Sequence, residues 1–204
     1  MSFTPGQRFA RFVTDAVVRR PRLWALFRLP FRRMFDRLAP EWDSTRVSAA
    51  HLEALEAAFD RIATPPARVL DVATGTGAAA RVAAARWPEA QVVGVDLSAG
   101  MVREAQARAG SDRERYQVAD AAALPFGAGE FDLVMQLNAI PFFDELARVT
   151  ADGGRVAVAF SRGEATPIWV SLEWVRAELG RRGFGGFEEP APGRSLLAVR
   201  GGVS

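Results

Sequence analysis

The sequence predicts an α/β fold, in which a doubly wound, mostly parallel sheet of seven strands carries helices on both faces. The main observation is that short apolar segments alternate with helix-forming segments from residue 69 to residue 182, as in parallel strands joined by crossover helices. A second observation is the segment VLDVATGTG at residues 69–77, where a predicted buried strand is followed by a glycine turn and then by a helix. A hydrophobic content of 49% in 204 residues is sufficient for a full core.

The individual elements follow from local patterns in chain order. Residues 1–43 are interpreted as a basic N-terminal helical cap or lid, and residues 44–204 as the domain that holds the sheet. Ser44 is a suitable N-cap for an amphipathic helix, which Pro65 and Pro66 terminate. The predicted elements are helix 44–62, strand 69–72, helix 78–87, strand 91–95, helix 99–109, strand 114–118, strand 131–137, helix 142–149, strand 155–160, helix 168–182, and a hairpin of strands 183–188 and 195–200.

The first 40 residues combine aromatic side chains with an excess of positive charge. They hold nine arginines and two aspartates, a net charge of +7, so the overall +2 leaves −5 for the remainder. Four prolines indicate short helices broken near each proline. Such a segment can bind an anionic membrane or a phosphorylated acceptor, or it can pack on the domain as a cap. The prolines favour the packed cap, because they interrupt a long helix lying on a membrane.

Absent residue types exclude several classes of site. Without cysteine there is no disulfide, thiol nucleophile or cysteine-bound metal, and one histidine is too few for a histidine metal site. All 26 basic residues are arginine, which excludes a phosphate-binding loop ending in Gly-Lys and a Schiff-base lysine. No apolar run approaches a membrane span and the N-terminus lacks a signal core, so we expect a cytoplasmic protein without a metal. The sequence leaves the oligomeric state open.

Three carboxylates are associated with the first three predicted strands. Asp71 lies inside the first strand, Asp96 ends the second and Asp120 follows the third. Ligands of such sheets bind at the carboxyl ends of the strands, so these side chains are expected to share one site. Asp96 is placed to accept both ribose hydroxyls of a nucleoside, and Asp120 to accept from an exocyclic amine. Alternatively, Asp96 caps the next helix and Asp120 is an ordinary loop acid.

These residues resemble the class I S-adenosylmethionine-dependent methyltransferases, whose fold is Rossmann-like. Residues 69–77 are similar to the first motif of that family, Asp/Glu-x-Gly-x-Gly-x-Gly, with Ala73 in place of the first glycine. The segment FDRLAPEWD at residues 35–43 is similar to the Phe-Asp-x-Ile-Ala-x-x-Tyr-Asp opening of the ubiquinone/menaquinone-biosynthesis-like, type 11/25-like subgroup, with Trp42 where tyrosine is usual. Residues 131–137 and 153–160 resemble later motifs, so the likeness covers about residues 35–200.

The resemblance implies S-adenosylmethionine as the cofactor and S-adenosylhomocysteine as the product. Asp71 and the glycine turn would face the methionyl part, Asp96 would hold the ribose, and Asp120 would meet the adenine amine. The residues implied to bind the cofactor are Asp71, Ala73, Thr74, Gly75, Gly77, Asp96, Leu97, Met101, Asp120, Ala121 and Asn138.

The acceptor side departs from the family pattern. Residues 138–154, between the fourth and fifth strands, lack the longer and often histidine-containing loop of many relatives. The apolar candidates for an acceptor pocket or lid are Phe35, Trp42, Phe142 and Trp169, which favour a small apolar or aromatic acceptor. His51 is the one histidine and the obvious candidate base, although a helix-face histidine without a role explains it as well. An already basic acceptor would need no protein base.

We therefore expect an enzyme that transfers a methyl group from S-adenosylmethionine to a small molecule by in-line displacement. One alternative is a cofactor-binding protein, or a cyclase-like enzyme, that uses the same fold without methyl transfer. The turn also matches the G-x-G-x-x-A pattern of NAD-dependent oxidoreductases, but Asp71 would repel a pyrophosphate. Nucleic-acid modification is not expected, because residues 138–141 lack an Asn/Asp-Pro-Pro-Tyr/Phe motif. Peripheral membrane contact through the basic N-terminus stays open.

Overall fold

One sheet of seven strands forms the centre of the molecule, whose computed structural model describes residues 3–201. The strands are β1 (Arg68–Val72), β2 (Gln91–Asp96), β3 (Glu114–Val118), β4 (Phe131–Leu137), β5 (Thr150–Ala159), β6 (Phe184–Glu188) and β7 (Ser195–Arg200). Their order in the sheet is β3-β2-β1-β4-β5-β7-β6. Strands β1 to β5 are parallel, and β7 runs antiparallel between β5 and β6. This mostly parallel sheet confirms the predicted fold class.

The strand order reverses at β1. The chain builds outward from β1 through β2 to β3, then returns to place β4 on the other side of β1. The loops that leave the carboxyl ends of β1 and β4 therefore diverge and open a crevice between them. This crevice is the expected place for a ligand.

The helices cover both faces of the sheet. In the described part of the chain they are α1 (Pro5–Arg19), α2 (Trp24–Leu38), α3 (Trp42–Arg46), α4 (Ala49–Phe59), α5 (Ala78–Arg86), α6 (Ala99–Ala107), α7 (Phe143–Val149) and α8 (Leu172–Gly180). Side chains of α4, α5 and α6 pack on one face with Val69, and those of α7 and α8 pack on the other with Leu70 and Val72. The alternation along β1 thus divides the core into two layers.

The predicted helix 44–62 is wrong at its start. Val47 and Ser48 have extended backbone conformations, so the chain forms the short helix α3 and then α4 instead of one continuous helix. The apolar residues that suggested one helix continue through this break. Its cause lies in a distant contact of Asp43, described below, which the local pattern does not contain.

Two further helix predictions differ from the structure. Pro30 lies inside α2 without breaking it, and its ring is on the exposed side of the helix. The predicted helix 168–182 begins only at Leu172, because the Ser171 hydroxyl accepts a hydrogen bond from the Trp174 amide at 3.3 Å and caps it there.

The N-terminal helices α1 and α2 pack on the domain as a cap. Their buried side chains form one cluster with residues that follow β4 and β5, namely Ala10, Val13, Val17, Trp24, Phe31, Ile140 and Ile168. The cap thus lies over the carboxyl ends of the strands, where the crevice opens.

Gly94 in β2 lies close to the side chains of Tyr116 and Thr74, so a substitution there tests how tightly the sheet is packed. A Cβ atom there would lie 2.5 Å from Tyr116 Cδ1 and 2.7 Å from Thr74 Oγ1. Tyr116 cannot move away freely, because it is buried and donates a hydrogen bond to Glu114 Oε2 at 2.9 Å. We expect Gly94→Ala to lower the free energy of unfolding by about 1–3 kcal/mol, measured by urea denaturation.

Gly185→Ala is the matched control, since Gly185 also lies in a strand and a Cβ there would meet no atom within 4 Å. We expect it to change stability by less than about 1 kcal/mol. Equal losses in the two variants would contradict the packing described around Tyr116.

Candidate functional site

A cavity of about 830 Å³ lies at the carboxyl ends of the central strands, under the cap. Its floor is formed by the ends of β1, β2 and β4 and the turns that follow them, and its roof by α1, α2 and α3. This is the crevice expected from the reversal of strand order. The cavity is large enough for a ligand the size of a nucleoside derivative together with a second small molecule.

Two neighbouring carboxylates line the floor. Asp71 is only 1% exposed and accepts a hydrogen bond from Thr74 Oγ1 at 2.6 Å. Burial, together with the nearby charge of Asp96, raises the pKa of Asp71 to about 7. Asp96 accepts from the amides of Gly75 at 3.0 Å and Ser98 at 2.8 Å, and burial raises its pKa to about 6. A cation bound here would stabilise both ionised carboxylates.

The turn after β1 has a strained backbone. Ala73 has a φ of 60°, a region that costs an L-residue roughly 1–2 kcal/mol, and Gly75 and Gly77 have φ of 56° and 81°. Glycine at residue 73, as in the motif that this segment resembles, would avoid the cost. A second strained residue, Asn138 with a φ of 54°, ends β4 on the other side of the cavity. Both non-glycine residues with positive φ in the described chain therefore line this cavity, as is typical of functional sites.

Asp36 anchors the end of the cap to the domain. It accepts hydrogen bonds from Ser98 Oγ at 2.6 Å and from the Gly100 amide at 3.0 Å, at the start of α6. Burial opposes its ionisation, but these hydrogen bonds outweigh the burial and lower the pKa of Asp36. Asp36 is therefore ionised at neutral pH and holds α2 beside Asp96.

Asp43 is a second anchor, at the glycine turn. It accepts a hydrogen bond from Thr76 Oγ1 and lies 3.3 Å from Arg108 Nε and 3.7 Å from Arg81 Nη2. These contacts draw α3 onto the turn and explain why the chain bends between α3 and α4. They also place Trp42 over Gly75, where a Cβ atom would lie 3.9 Å from Trp42 Nε1.

A polar network lies at the opposite end of the cavity. The Ser161 amide donates to Asn138 Oδ1 at 2.8 Å, which fixes the orientation of the Asn138 side chain. Asn138 Nδ2 then faces Ser161 Oγ at 3.0 Å and His51 Nε2 at 3.4 Å. Because Nδ2 can only donate, His51 Nε2 is the acceptor and its ring proton is on Nδ1. Burial, and then the charge of Arg162, lower the pKa of His51, so the imidazole is neutral at pH 7.

The structure brings most of the predicted site residues together. Those lining the cavity are Phe35, Trp42, His51, Asp71, Ala73, Thr74, Gly75, Asp96, Leu97, Met101, Ala121, Asn138 and Phe142. They come from separate parts of the chain, and the sheet topology alone makes them neighbours.

Three predicted site residues do not line the cavity. Asp120 accepts hydrogen bonds from Trp24 Nε1 at 2.8 Å and the Ala122 amide at 2.9 Å, so its carboxylate holds α2. Gly77 faces Tyr116, and a Cβ atom at residue 77 would lie 2.9 Å from the Tyr116 hydroxyl oxygen and 3.0 Å from the ring. Trp169 packs under the guanidinium of Arg11, whose Cζ atom lies 5.5 Å from the centroid of the Trp169 ring.

Four site residues were missed from the sequence: Asp36, Asp43, Ser161 and Arg162. Asp36 and Asp43 belong to FDRLAPEWD, which contributed only a resemblance, and their partners lie 33 to 64 residues away. Ser161 directly follows β5, so the rule that pointed to Asp71 and Asp96 could also have pointed to it.

The described residues contain neither a cluster of metal-binding side chains nor a helix that could span a membrane. Over residues 3–201 no group of three or more His, Asp or Glu side chains is arranged to hold a metal ion. Within the same range no helix has the length and apolar character needed to cross a membrane.

Known sequences show what this chain is similar to. Residues 69–156 match the family model of a methyltransferase domain. Malonyl-[acyl-carrier protein] O-methyltransferase of Geobacter sulfurreducens is 38% identical over 127 residues, which are 61% of this chain and 48% of the relative. Demethylmenaquinone methyltransferase of Thermus thermophilus is 39% identical over 140 residues, 61% of this chain and 63% of the relative. The chain spans only about half to three fifths of the length of these relatives.

Solved structures show the same fold. The [4+2]-cyclase SpnF has a TM-score of 0.67 at 19% identity, over 85% of this chain and 96% of that chain. The complex of the Haloferax volcanii Trm112 methyltransferase activator with a methyltransferase gives a TM-score of 0.65 at 20% identity, over 81% and 96%. The sequence and fold comparisons together confirm the resemblance to class I S-adenosylmethionine-dependent methyltransferases. The likeness to a methyltransferase domain is carried by residues 69–156, which hold β1 to β4 and the first part of β5.

The Asp36 anchor can be tested by proteolysis, because the cap is rich in arginine and is therefore a trypsin substrate when it detaches. Asp36→Ala removes two hydrogen bonds to a charged group, and we expect trypsin to cleave the cap roughly tenfold faster than in the unmodified protein. Asp15→Ala is the control, since Asp15 is an exposed acid on α1 with no ion pair among residues 3–201. If both variants are cleaved at the same rate, Asp36 does not hold the cap.

Proposed function

We propose that this chain is an S-adenosylmethionine-dependent methyltransferase that acts on a small molecule with an apolar body. The observation that carries the proposal is the pair of carboxylates Asp71 and Asp96, which flank a strained glycine turn and face one cavity. The methyltransferase family match over residues 69–156 supports the same function.

The residues present fit the cofactor. The sulfonium and ammonium groups of S-adenosylmethionine are cations, and Asp71 and Asp96 offer two buried carboxylates whose ionised forms a cation would stabilise. Gly75 keeps the space between the turn and Trp42 open, which a Cβ atom would narrow. Asp96 would bind the ribose, while Leu97, Met101 and Ala121 line the cavity beside it and offer apolar surface to the adenine.

Asp120 does not fit its expected role as well. Its Oδ1 atom already accepts from Trp24 and Ala122, and its Oδ2 atom lies 3.9 Å from Arg28 Nη1. We infer that Asp120 positions α2 over the site instead of binding the adenine amine.

The reaction requires little covalent chemistry from the protein. When bound, S-adenosylmethionine would supply an electrophilic methyl group, to whose carbon the acceptor atom would bond as the carbon–sulfur bond breaks and S-adenosylhomocysteine leaves. The chain's residues would align the acceptor and exclude water, and the aromatic roof of Phe35, Trp42 and Phe142 is suited to both tasks. At the other end, Asn138, Ser161 and Arg162 would hold the acceptor's polar group.

His51 is the proposed base for an acceptor that must lose a proton. Its one ring lone pair is on Nε2, where it accepts the long 3.4 Å contact from Asn138 Nδ2, so a proton from the acceptor would have to displace that contact. A neutral imidazole at pH 7 is ready to accept a proton as the methyl bond forms.

Calorimetric titration tests the cofactor. At pH 8 we expect S-adenosylmethionine to bind and NAD not to bind. Asp96→Ala should weaken S-adenosylmethionine binding at least tenfold, because it removes a charged acceptor of hydrogen bonds. Asp132→Ala is a matched control, since Asp132 follows the first residue of β4 at the opposite end of the strands and accepts only from the amides of residues 67 and 68. Tighter binding of NAD, or equal losses in both variants, would refute the proposal.

The same titration has a predictable pH dependence. Asp71 ionises with a pKa of about 7, so protonation below that value removes the negative charge that favours the cationic cofactor. We expect the affinity to fall roughly tenfold between pH 8 and pH 6, since each pH unit below the pKa costs about a factor of ten. Asp71→Asn should bind more weakly at pH 8 and lose this dependence. A flat profile in the unmodified protein would show that Asp71 is not coupled to the cofactor.

His51 can be followed directly, because it is the only histidine and its NMR signals need no assignment. We expect a titration midpoint below 6.5 in the unmodified protein, and a higher one in Arg162→Ala. Arg194→Ala removes another arginine that lines the same cavity and should leave the midpoint unchanged. A midpoint at or above 6.5 would mean that the imidazole is solvated and not held as described.

A further inference from the structure

The outer surface of the cap exposes large apolar side chains. Among residues 3–201, five large hydrophobic side chains are markedly exposed, and three of these lie on α1 and α2: Phe12 at 60%, Leu26 at 70% and Leu29 at 42%. The other two, Val118 and Trp174, lie on β3 and α8. Exposed apolar residues are ordinary when scattered, but three on one pair of packed helices suggest a binding surface.

These three residues belong to one surface, which we call the outer patch (Phe12, Leu26 and Leu29). Leu26 and Leu29 lie one helical turn apart on α2, on the opposite side from the buried Trp24 and Phe31. Phe12 on α1 packs edge-on against Phe27 of α2, with ring centroids 5.8 Å apart. Phe27 is half-buried, so this contact holds the exposed Phe12 against the side of α2.

Arginines stand at both ends of the patch. The exposed stripe of α1 is Arg8, Phe12, Asp15 and Arg19. The second stripe begins at Arg22, in the 3-10 turn Pro21–Leu23 just before α2, and continues along α2 with Leu26, Leu29 and Arg33. Both stripes have the same spacing of four, three and four residues, which places their members on one face. Within the described chain, these four arginines have no carboxylate within the 4.0 Å of an ion pair. Their charges are available to an external anion.

The inner contacts hold this surface in place. Arg11 Nη2 donates to the carbonyl oxygens of Glu164 at 2.5 Å and Thr166 at 2.8 Å, and Trp24 donates to Asp120. These contacts fix the inner face of the cap against the domain. The outer patch therefore faces solvent and is not buried by any other part of the described chain.

We propose that the outer patch and its arginines form a docking surface for an anionic lipid bilayer. The apolar side chains would enter the interface between headgroups and acyl chains, and the guanidinium groups would bind lipid phosphates. A nucleic acid would satisfy the arginines but would leave Leu26 and Leu29 in water. The inner face of the same helices roofs the cavity, so docking would bring the cavity close to the membrane. The proposal itself does not depend on the reaction.

Vesicle sedimentation of the full chain tests the proposal. We expect binding to phosphatidylcholine vesicles that contain phosphatidylglycerol, and much weaker binding to pure phosphatidylcholine. Leu26→Ser/Leu29→Ser should weaken binding roughly tenfold or more, because it removes the apolar contribution. Arg22→Ala/Arg33→Ala should also weaken it roughly tenfold or more, since each basic residue near an anionic surface contributes about fivefold.

Two double variants serve as matched controls. Val118→Ser/Trp174→Ser removes the two exposed hydrophobic residues outside the cap, and Arg61→Ala/Arg115→Ala removes two exposed charges from other surfaces. Both should bind vesicles as the unmodified protein does. The proposal fails if anionic vesicles are not bound, or if the controls lose as much binding as the cap variants. It also fails if Leu26→Ser/Leu29→Ser binds unchanged, which would indicate a purely electrostatic surface of the kind a nucleic acid uses.

Discussion

The removal of two carboxylates from water, complete for Asp71 in β1 and partial for Asp96 at the end of β2, is the constraint on which the site depends. The parallel pairing of the two strands places Asp71 and Asp96 near each other, and burial raises the pKa of each. Amide and hydroxyl donors stabilise their ionised forms, among them Thr74 Oγ1 and the amides of Gly75 and Ser98. Among residues 3–201 neither carboxylate has a guanidinium nitrogen within 4.0 Å, which suits the cationic ligand proposed above.

The cap also affects the charge balance of the site. It adds a third acid, Asp36, next to Asp96, and the charge of Asp36 contributes to raising the pKa of Asp96. The Ser98 hydroxyl and Gly100 amide keep Asp36 ionised, while Arg81 and Arg108 neutralise Asp43 nearby. The same contacts that attach the cap therefore increase the negative character of the site.

Local pattern predicted every strand of the sheet, although β5 begins at Thr150, five residues before its predicted start, but it did not predict the contacts of the cap. Strands β3 and β4 have the predicted bounds, because their apolar segments are short and bounded by turn residues. The break between α3 and α4 was missed, since the apolar stripe runs through it and its cause is the contact of Asp43 with Thr76. Asp120 was placed at the right strand end, yet its partner Trp24 lies 96 residues away. Topology predicts which strand ends meet, whereas side-chain partners across a cap depend on packing that one sequence does not display.

The two faces of the cap follow from one helical periodicity. Trp24 and Phe31 of α2 point inward to the cavity, and Leu26 and Leu29 point outward to solvent, so the helix is apolar on both sides. A surface helix needs only its inner stripe to be apolar for folding, and the outer leucines add nothing to the core. Arginine, the sole basic residue type of the chain, suits the outer surface, because its planar guanidinium binds phosphate through paired hydrogen bonds. The composition of the cap therefore fits two separate requirements, one from the cavity beneath it and one from the lipid surface proposed above.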